Sequence, residues 1–243
     1  MLNFISHGAP RDVVFVHGAG ANSLLWRPML EGLSGGSEAM AVDLPGHPTG
    51  EISCSSVGEY AEAVHQFLTD ARLDRPVLGG HSMGGATALT IALAHPEDIG
   101  GLVLVGTGAK LGVAPEILVG LKDNPMRAIE NIITPWSFNS VDLRLGRESR
   151  VALSVSNLPV FLNDYLACTR FDVRKDLPKI TERTMVVCGD KDRMTPPRFS
   201  HYLNANISGS ELRFVKDSGH MLPLEKPEAL ASVVQSFLAS LTR

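Results

Sequence analysis

Three cysteines in 243 residues, Cys54, Cys168 and Cys188, are too few and too far apart for a disulfide framework. They read as small buried hydrophobes, and a reducing cytoplasm is their natural setting. Basic charge is also scarce: 22 Lys and Arg stand against 26 Asp and Glu, a formal net charge of −4. Such a balance excludes the positive field that a nucleic-acid partner needs and leaves no polybasic patch for an anionic membrane. No apolar run approaches the roughly 18 residues of a membrane span. Met1-Leu2-Asn3-Phe4 lacks the charged start and apolar core of a signal peptide. Export and membrane insertion are therefore disfavoured. Internal repeats, low-complexity tracts and Gly/Ser-rich linkers are missing too, so nothing divides the chain by composition.

What the chain does have is an alternation of two patterns. Short, wholly apolar runs occur at Val13–Val16, Ala39–Val42, 76–80, Leu102–Val105 and 185–189, and a mostly apolar one at 212–215. Between them lie segments with helical spacing. One of these, over 57–70, puts Val57, Tyr60, Ala61, Val64, Phe67 and Leu68 on a single stripe. Strands apolar on both faces, separated by amphipathic helices, predict an α/β fold with a mostly parallel sheet covered on both sides. A further strand is expected at Phe4-Ile5, and a final helix over 227–241.

The rhythm breaks near residue 110. From Lys110 to Arg174 there are helical spacings but no convincing strand, and Pro115, Pro125, Pro135 and Pro159 punctuate the segment into about four short helices. An interruption of roughly 60 residues at the carboxyl end of a strand is expected to be functional, a cap or lid over a site. The expected organisation is a core of residues 1–109 and 175–243 with a helical cap over 110–174.

The motif Gly80-His81-Ser82-Met83-Gly84-Gly85 follows one of the predicted strands and opens a helix. A strand-to-helix turn that tight needs glycine on both sides, and it would present Ser82 as a nucleophile. Serine needs a base. Of eight histidines, His65, His95 and His201 fall on helical segments and His7 on an irregular start. His47 and His81 fall in turns, and His81 would diverge from its neighbour. His220, in a glycine-hinged loop after the strand at 212–215, is the best base. The acid that should orient it comes from Gly189-Asp190-Lys191-Asp192, where Asp192 is placed to turn over the sheet edge and Asp190 to pin the turn. His17-Gly18-Ala19-Gly20 follows the first strong strand, and its small residues allow close approach to a substrate oxygen. The amides of Ala19 and Met83 are then the candidate oxyanion donors.

Together these residues resemble the α/β-hydrolase superfamily, in particular its small esterase-like members with a helical cap. The landmarks stand in the family's order: HGAG at 17–20, DLPGH at 43–47, GHSMGG at 80–85, GDKD at 189–192 and SGHMLPLEKP at 218–227. The order serine, acid, histidine is the family's as well. The resemblance implies a serine hydrolase that cleaves a carboxylic ester or related acyl bond of a small to medium, largely apolar substrate, with catalytic Ser82, Asp192 and His220. It implies no cofactor and no metal. Pocket candidates are His17, Gly18, His81, Trp136, Phe138 and Met221, with apolar surface from Leu111, Val113, Ile117, Leu118, Leu121, Ile129, Ile132 and Ile133. Arg144, Arg147 and Arg150 could meet a substrate carboxylate or thioester phosphate, but a solvated helix face is the favoured reading. A carbon–carbon hydrolase, lyase, acyltransferase or perhydrolase could use the same triad. A ligand-binding receptor on a hydrolase scaffold is the remaining alternative, while a dehalogenase or epoxide hydrolase would need a carboxylate at position 82.

Overall fold

The computed structural model describes residues 2–7, 13–33, 39–47, 50–52, 54–139 and 158–241. Seven strands form one sheet: β1 (Phe4–His7), β2 (Val13–Val16), β3 (Ala39–Val42), β4 (Val77–His81), β5 (Gly101–Val105), β6 (Thr184–Gly189) and β7 (Glu211–Val215). Their spatial order is β1-β3-β2-β4-β5-β6-β7. Only β1 runs antiparallel, with Phe4 opposite Val42; every other pairing is parallel. The leading strand is longer than Phe4-Ile5 and takes in His7, so that histidine ends a strand rather than an irregular start.

The five inner strands, β2 to β6, are buried at every position because both faces of the sheet are covered there, whereas the edge strands β1 and β7 are partly exposed. Val14 and Val16 of β2, with Leu102 and Leu104 of β5, point into one core, which is closed by helices α2 (Val57–Asp70) and α3 (Met83–Ala94). Val13 and Phe15, with Val103 and Val105, point into a second core closed by α1 (Arg27–Glu31) and the C-terminal helix α10 (Pro227–Leu241). The two-residue period of a strand produces this division. Helix α2 buries the predicted stripe from Val57 to Leu68. It starts at Ser56, whose hydroxyl accepts from the Glu59 amide at 3.2 Å, while the Glu59 carboxylate takes the Ser55 amide at 2.6 Å. These bonds satisfy amides that the helix itself leaves unpaired.

Between β5 and β6 the prolines open helices rather than break them. Pro115 is the first residue of α4 (Pro115–Asp123) and Pro125 of α5 (Pro125–Ala128). A π-helical turn over Ile129–Ile133 leads into α6 (Thr134–Ser137), and α7 spans Leu158–Arg170. These helices share their own apolar cluster, built on Ile117, Leu121, Ile129, Ile133, Phe161 and Tyr165. The only β contact of the segment among the described residues is a bridge between Lys110 and Asp172. Arg144, Arg147 and Arg150 lie outside the described residues. Helices α8 (Pro197–Asn206) and α9 (Leu222–Glu225) complete the order.

Candidate active site

Ser82 sits between the last residue of β4 and the first of α3 with φ 54° and ψ −115°, a backbone conformation that side-chain-bearing residues avoid. Holding such a residue costs on the order of 1–3 kcal/mol, so neighbours must hold it there. Its amide donates to the Val105 carbonyl at 3.0 Å, and the Thr107 hydroxyl donates to its carbonyl at 2.7 Å. The flanking glycines provide the space. A Cβ on Gly80 would fall 2.2 Å from the Gly84 carbonyl oxygen, and one on Gly84 would fall 2.2 Å from that of Val16. A Cβ on Gly18 would lie 3.1 Å from the Ser82 Cβ, so the turn after β2 runs directly beside the serine.

His220 and Asp192 meet at the carboxyl ends of β7 and β6. His220 Nδ1 lies 2.9 Å from Asp192 Oδ2, and both residues are buried. Asp190 is not involved; its amide continues the sheet to Val215. The Asp192 carboxylate is well supplied with donors. Oδ1 accepts from the amides of Met194 and Thr195 at 2.9 and 2.8 Å, and Oδ2 from the Thr195 hydroxyl at 2.8 Å. Burial alone would raise its pKa, but the imidazole charge, the bond to His220 and the Thr195 bonds outweigh it and hold the carboxyl below the usual range. Thr195 also stands 3.1 Å from His220 Nδ1. No motif pointed to Thr195; its signal was its position three residues after Asp192, where a hydroxyl can turn back onto the carboxylate. Gly106, at φ +52°, lets both groups approach: a Cβ there would lie 3.3 Å from Asp192 Oδ2.

Ser82 and His220 line one cavity of about 330 Å³. Gly18, Ala19, His81, Trp136, Phe138 and Met221 line it too, as do Leu111, Val113, Ile117 and Ile133. Leu118, Leu121, Ile129 and Ile132 do not; they belong to the apolar cluster of the inserted helices. His17 is a correction: it is fully buried and does not line the cavity. Its Nδ1 bonds the Gly18 carbonyl at 2.9 Å, and its Nε2 accepts the Leu44 amide at 3.0 Å. His17 thus ties the turn after β2 to the loop after β3. Burial and the neighbouring His47 keep its pKa well below normal, which suits a ring nitrogen that must accept.

The DLPGH stretch has the same tying role. Asp43 accepts the Ser23 amide at 2.6 Å. His47 reaches Asp164 of α7, with Nε2 2.9 Å from Oδ2 and both side chains fully buried. Asp164 also takes the Gly20 amide at 2.8 Å and the Tyr60 hydroxyl at 2.7 Å. Sequence reasoning missed this residue. The visible signal was a lone carboxylate on the stripe Phe161, Asp164, Tyr165, Cys168, where helical spacing demands burial.

Met83 is the first residue of α3, a position whose amide has no partner within a helix, and Ala19 lies in the turn beside the serine. Ser82, Ala19 and His220 thus border one cavity, and the His220 ring is bonded to the Asp192 carboxylate. The chain belongs to the alpha/beta hydrolase family, whose model matches residues 13–233, and it is an enzyme of that family. It is 29% identical over 246 residues to the pimeloyl-[acyl-carrier protein] methyl ester esterase of Neisseria meningitidis serogroup C, covering 95% of this chain and 94% of that one. To the 2-hydroxy-6-oxononadienedioate/2-hydroxy-6-oxononatrienedioate hydrolase of a Pseudomonas species it is 26% identical, over 93% of this chain and 87% of that one. Among solved structures, a thermophilic esterase superposes with a TM-score of 0.86 at 31% identity, with 99% of each chain covered. Relatives with these names support ester hydrolysis as the general activity.

Proposed function

We propose that the protein is a serine esterase that hydrolyses carboxylic esters of small to medium apolar acyl groups through Ser82, His220 and Asp192. One observation carries the reading: the strained serine just past the carboxyl end of β4 shares a cavity with an imidazole whose Nδ1 is bonded to a buried carboxylate. In the first step the Ser82 oxygen bonds to the acyl carbon while His220 Nε2 takes its proton. The Ala19 and Met83 amides stabilise the oxyanion, each worth about 3 kcal/mol in the transition state. His220 then protonates the departing alcohol oxygen as the carbon–oxygen bond breaks. Water, deprotonated by the same nitrogen, adds to the acyl-enzyme and releases the acid. Asp192 keeps the proton on Nδ1 and stabilises the imidazolium without taking a proton itself.

Residues 110–174 are assigned as a cap over the cavity, with residues 1–109 and 175–243 as the hydrolase core. The lining by Leu111, Val113, Ile117 and Ile133 supports an apolar acyl group. The similarity to a dienedioate hydrolase favours a second reading, in which the same triad cleaves a carbon–carbon bond. The three cysteines are buried and none is in a disulfide, which supports a reducing, cytoplasmic setting. No helix of the described residues is long and apolar enough to cross a membrane.

A fluorophosphonate probe tests the chemistry without a choice of substrate. It should modify Ser82, located by peptide mass spectrometry, and His220→Ala should slow the modification at least a hundredfold, the size of a typical general-base contribution, ~10²–10⁴. Modification elsewhere, or none, contradicts the reading.

A further inference from the structure

The turn carrying Ala19 is fixed on both sides, by different parts of the molecule. Before it, the Gly18 carbonyl takes the Ala21 amide at 3.2 Å and His17 Nδ1 at 2.9 Å. After it, the Gly20 amide donates to Asp164 Oδ2 at 2.8 Å. Asp164 belongs to α7, in the segment inserted between β5 and β6, and is fully buried. Gly20 has φ +66°, and a Cβ there would fall 2.1 Å from the ring of Phe161, one helical turn before Asp164. So α7 presses a ring and a carboxylate against one glycine.

That carboxylate is held in turn. Its three donors come from three elements: Gly20 from the turn after β2, His47 from the loop after β3, and Tyr60 from α2. The Tyr60 hydroxyl accepts from Asn163 at 3.2 Å while it donates to Asp164, which fixes its direction. His47 Nδ1 lies 3.2 Å from the Pro45 carbonyl and 3.3 Å from that of Leu44, so both ring nitrogens face acceptors. Burial disfavours charge on that ring, but Asp164 outweighs it and the pKa is raised. A buried ion pair contributes little net stability compared with apolar packing of the same volume. What it offers is a single geometry, because a misaligned donor would leave a charge uncompensated.

We propose that Asp164 is a positioning residue for ester hydrolysis: its carboxylate, steadied by His47 and Tyr60, fixes the Gly20 amide and thereby aims the adjacent Ala19 N–H at the developing oxyanion. The proposal rests on the serine-esterase reading above. It makes the oxyanion geometry depend on docking of α7, so the inserted segment contributes to the rate as well as to the pocket wall.

The test compares Asp164→Asn, His47→Gln and Tyr60→Phe with the parent protein on a p-nitrophenyl ester. Asn keeps the shape but has one accepting oxygen where three donors converge; Gln keeps a donor without charge; Phe removes one donor only. For Asp164→Asn, kcat should fall by about 10- to 100-fold with KM within about twofold, as expected when an oxyanion donor is misplaced rather than removed. End-point fluorophosphonate labelling should still count one site per chain while the labelling rate falls by the same factor as kcat. His47→Gln and Tyr60→Phe should lie between, and they carry the test if Asp164→Asn does not fold. A merely structural role would reduce the labelled fraction or Tm and leave kcat per labelled site at the parent value, and that result overturns the proposal. Hydrogen exchange at Gly20 separates this claim from the esterase reading. If the parent hydrolyses no ester, that reading fails by itself. If exchange at Gly20 is no faster in Asp164→Asn or Tyr60→Phe than in the parent, the positioning claim fails whatever the activity.

Discussion

His81 and His220 lie with ring centroids 4.6 Å apart, and His81 Nε2 donates to the His220 backbone carbonyl at 2.9 Å. The neighbour of Ser82 therefore holds the loop that carries His220. Its other nitrogen, Nδ1, is buried without a partner among the described residues. Burial, followed by the nearby His220, lowers its pKa to about 3, so the ring stays neutral with its one proton on the bonded nitrogen. His81→Ala leaves the His220 carbonyl unpaired in the interior and should cost about 1–3 kcal/mol in stability. On an ester substrate kcat should fall about tenfold, equivalent to ~1.4 kcal/mol. His81→Gln, which keeps a donor at the same reach, should recover most of both. Urea melts and steady-state kinetics on the two variants check this.

Stability should depend on pH through histidines whose pKa values are shifted in opposite directions. His17 and His81 have lowered pKa values when folded. An unfolded histidine takes a proton near pH ~6.5, so below that pH the unfolded chain binds more protons and stability falls with acid. For His81 the loss continues down to about pH 3. His47 has the opposite sign: its raised pKa adds stability that is full below the unfolded value and is lost as pH rises through the folded one. Denaturation series from pH 4 to 9 should show both limbs. His47→Gln should remove the alkaline limb and leave the acid limb in place.

Glycine at the elbow is a steric demand, which can be separated from backbone strain. Gly84→Ala would put a Cβ 2.2 Å from the Val16 carbonyl oxygen and 2.5 Å from that of His17. Backbone must move, and a cost of about 3 kcal/mol is expected. Gly209→Ala is the control. It sits at φ +69° with nothing within 4 Å of the new atom, so strain alone should cost about 1–2 kcal/mol. Equal losses would refute the steric account.

The wall of the cavity should set acyl-chain preference. Ile117 is 2% exposed and lines the cavity near Phe161. Ile117→Ala should move the preferred p-nitrophenyl ester to a longer chain. The stability cost should be about 2 kcal/mol, the low end for this change, because one side of the residue already faces empty space. An unchanged chain-length profile would place the acyl group elsewhere.

The sheet and the elbow were legible because their signals are local. Val13–Val16 and Leu102–Val105 announce strands by being apolar at every position, and GHSMGG carries the steric demand of its own turn. Pairing His220 with Asp192 needed only the rule that loops at the carboxyl ends of neighbouring strands meet. His17 looked like a pocket residue by its place in HGAG, whereas its ring turns away to bond Leu44. Asp164 was harder still. Its partners Gly20, His47 and Tyr60 lie 144, 117 and 104 residues away, and no short pattern links them. A buried carboxylate is explained only once the donors around it are known.

The most direct measurement is turnover of p-nitrophenyl esters of increasing acyl length by the parent protein and by Ser82→Ala. With Ser82 as the proposed nucleophile, the parent should hydrolyse the series with a chain-length optimum. The variant should fold normally and lose at least ~10³-fold in kcat. Ester hydrolysis by Ser82→Ala at the parent rate would contradict the account, because the strained serine would then have no part in the chemistry.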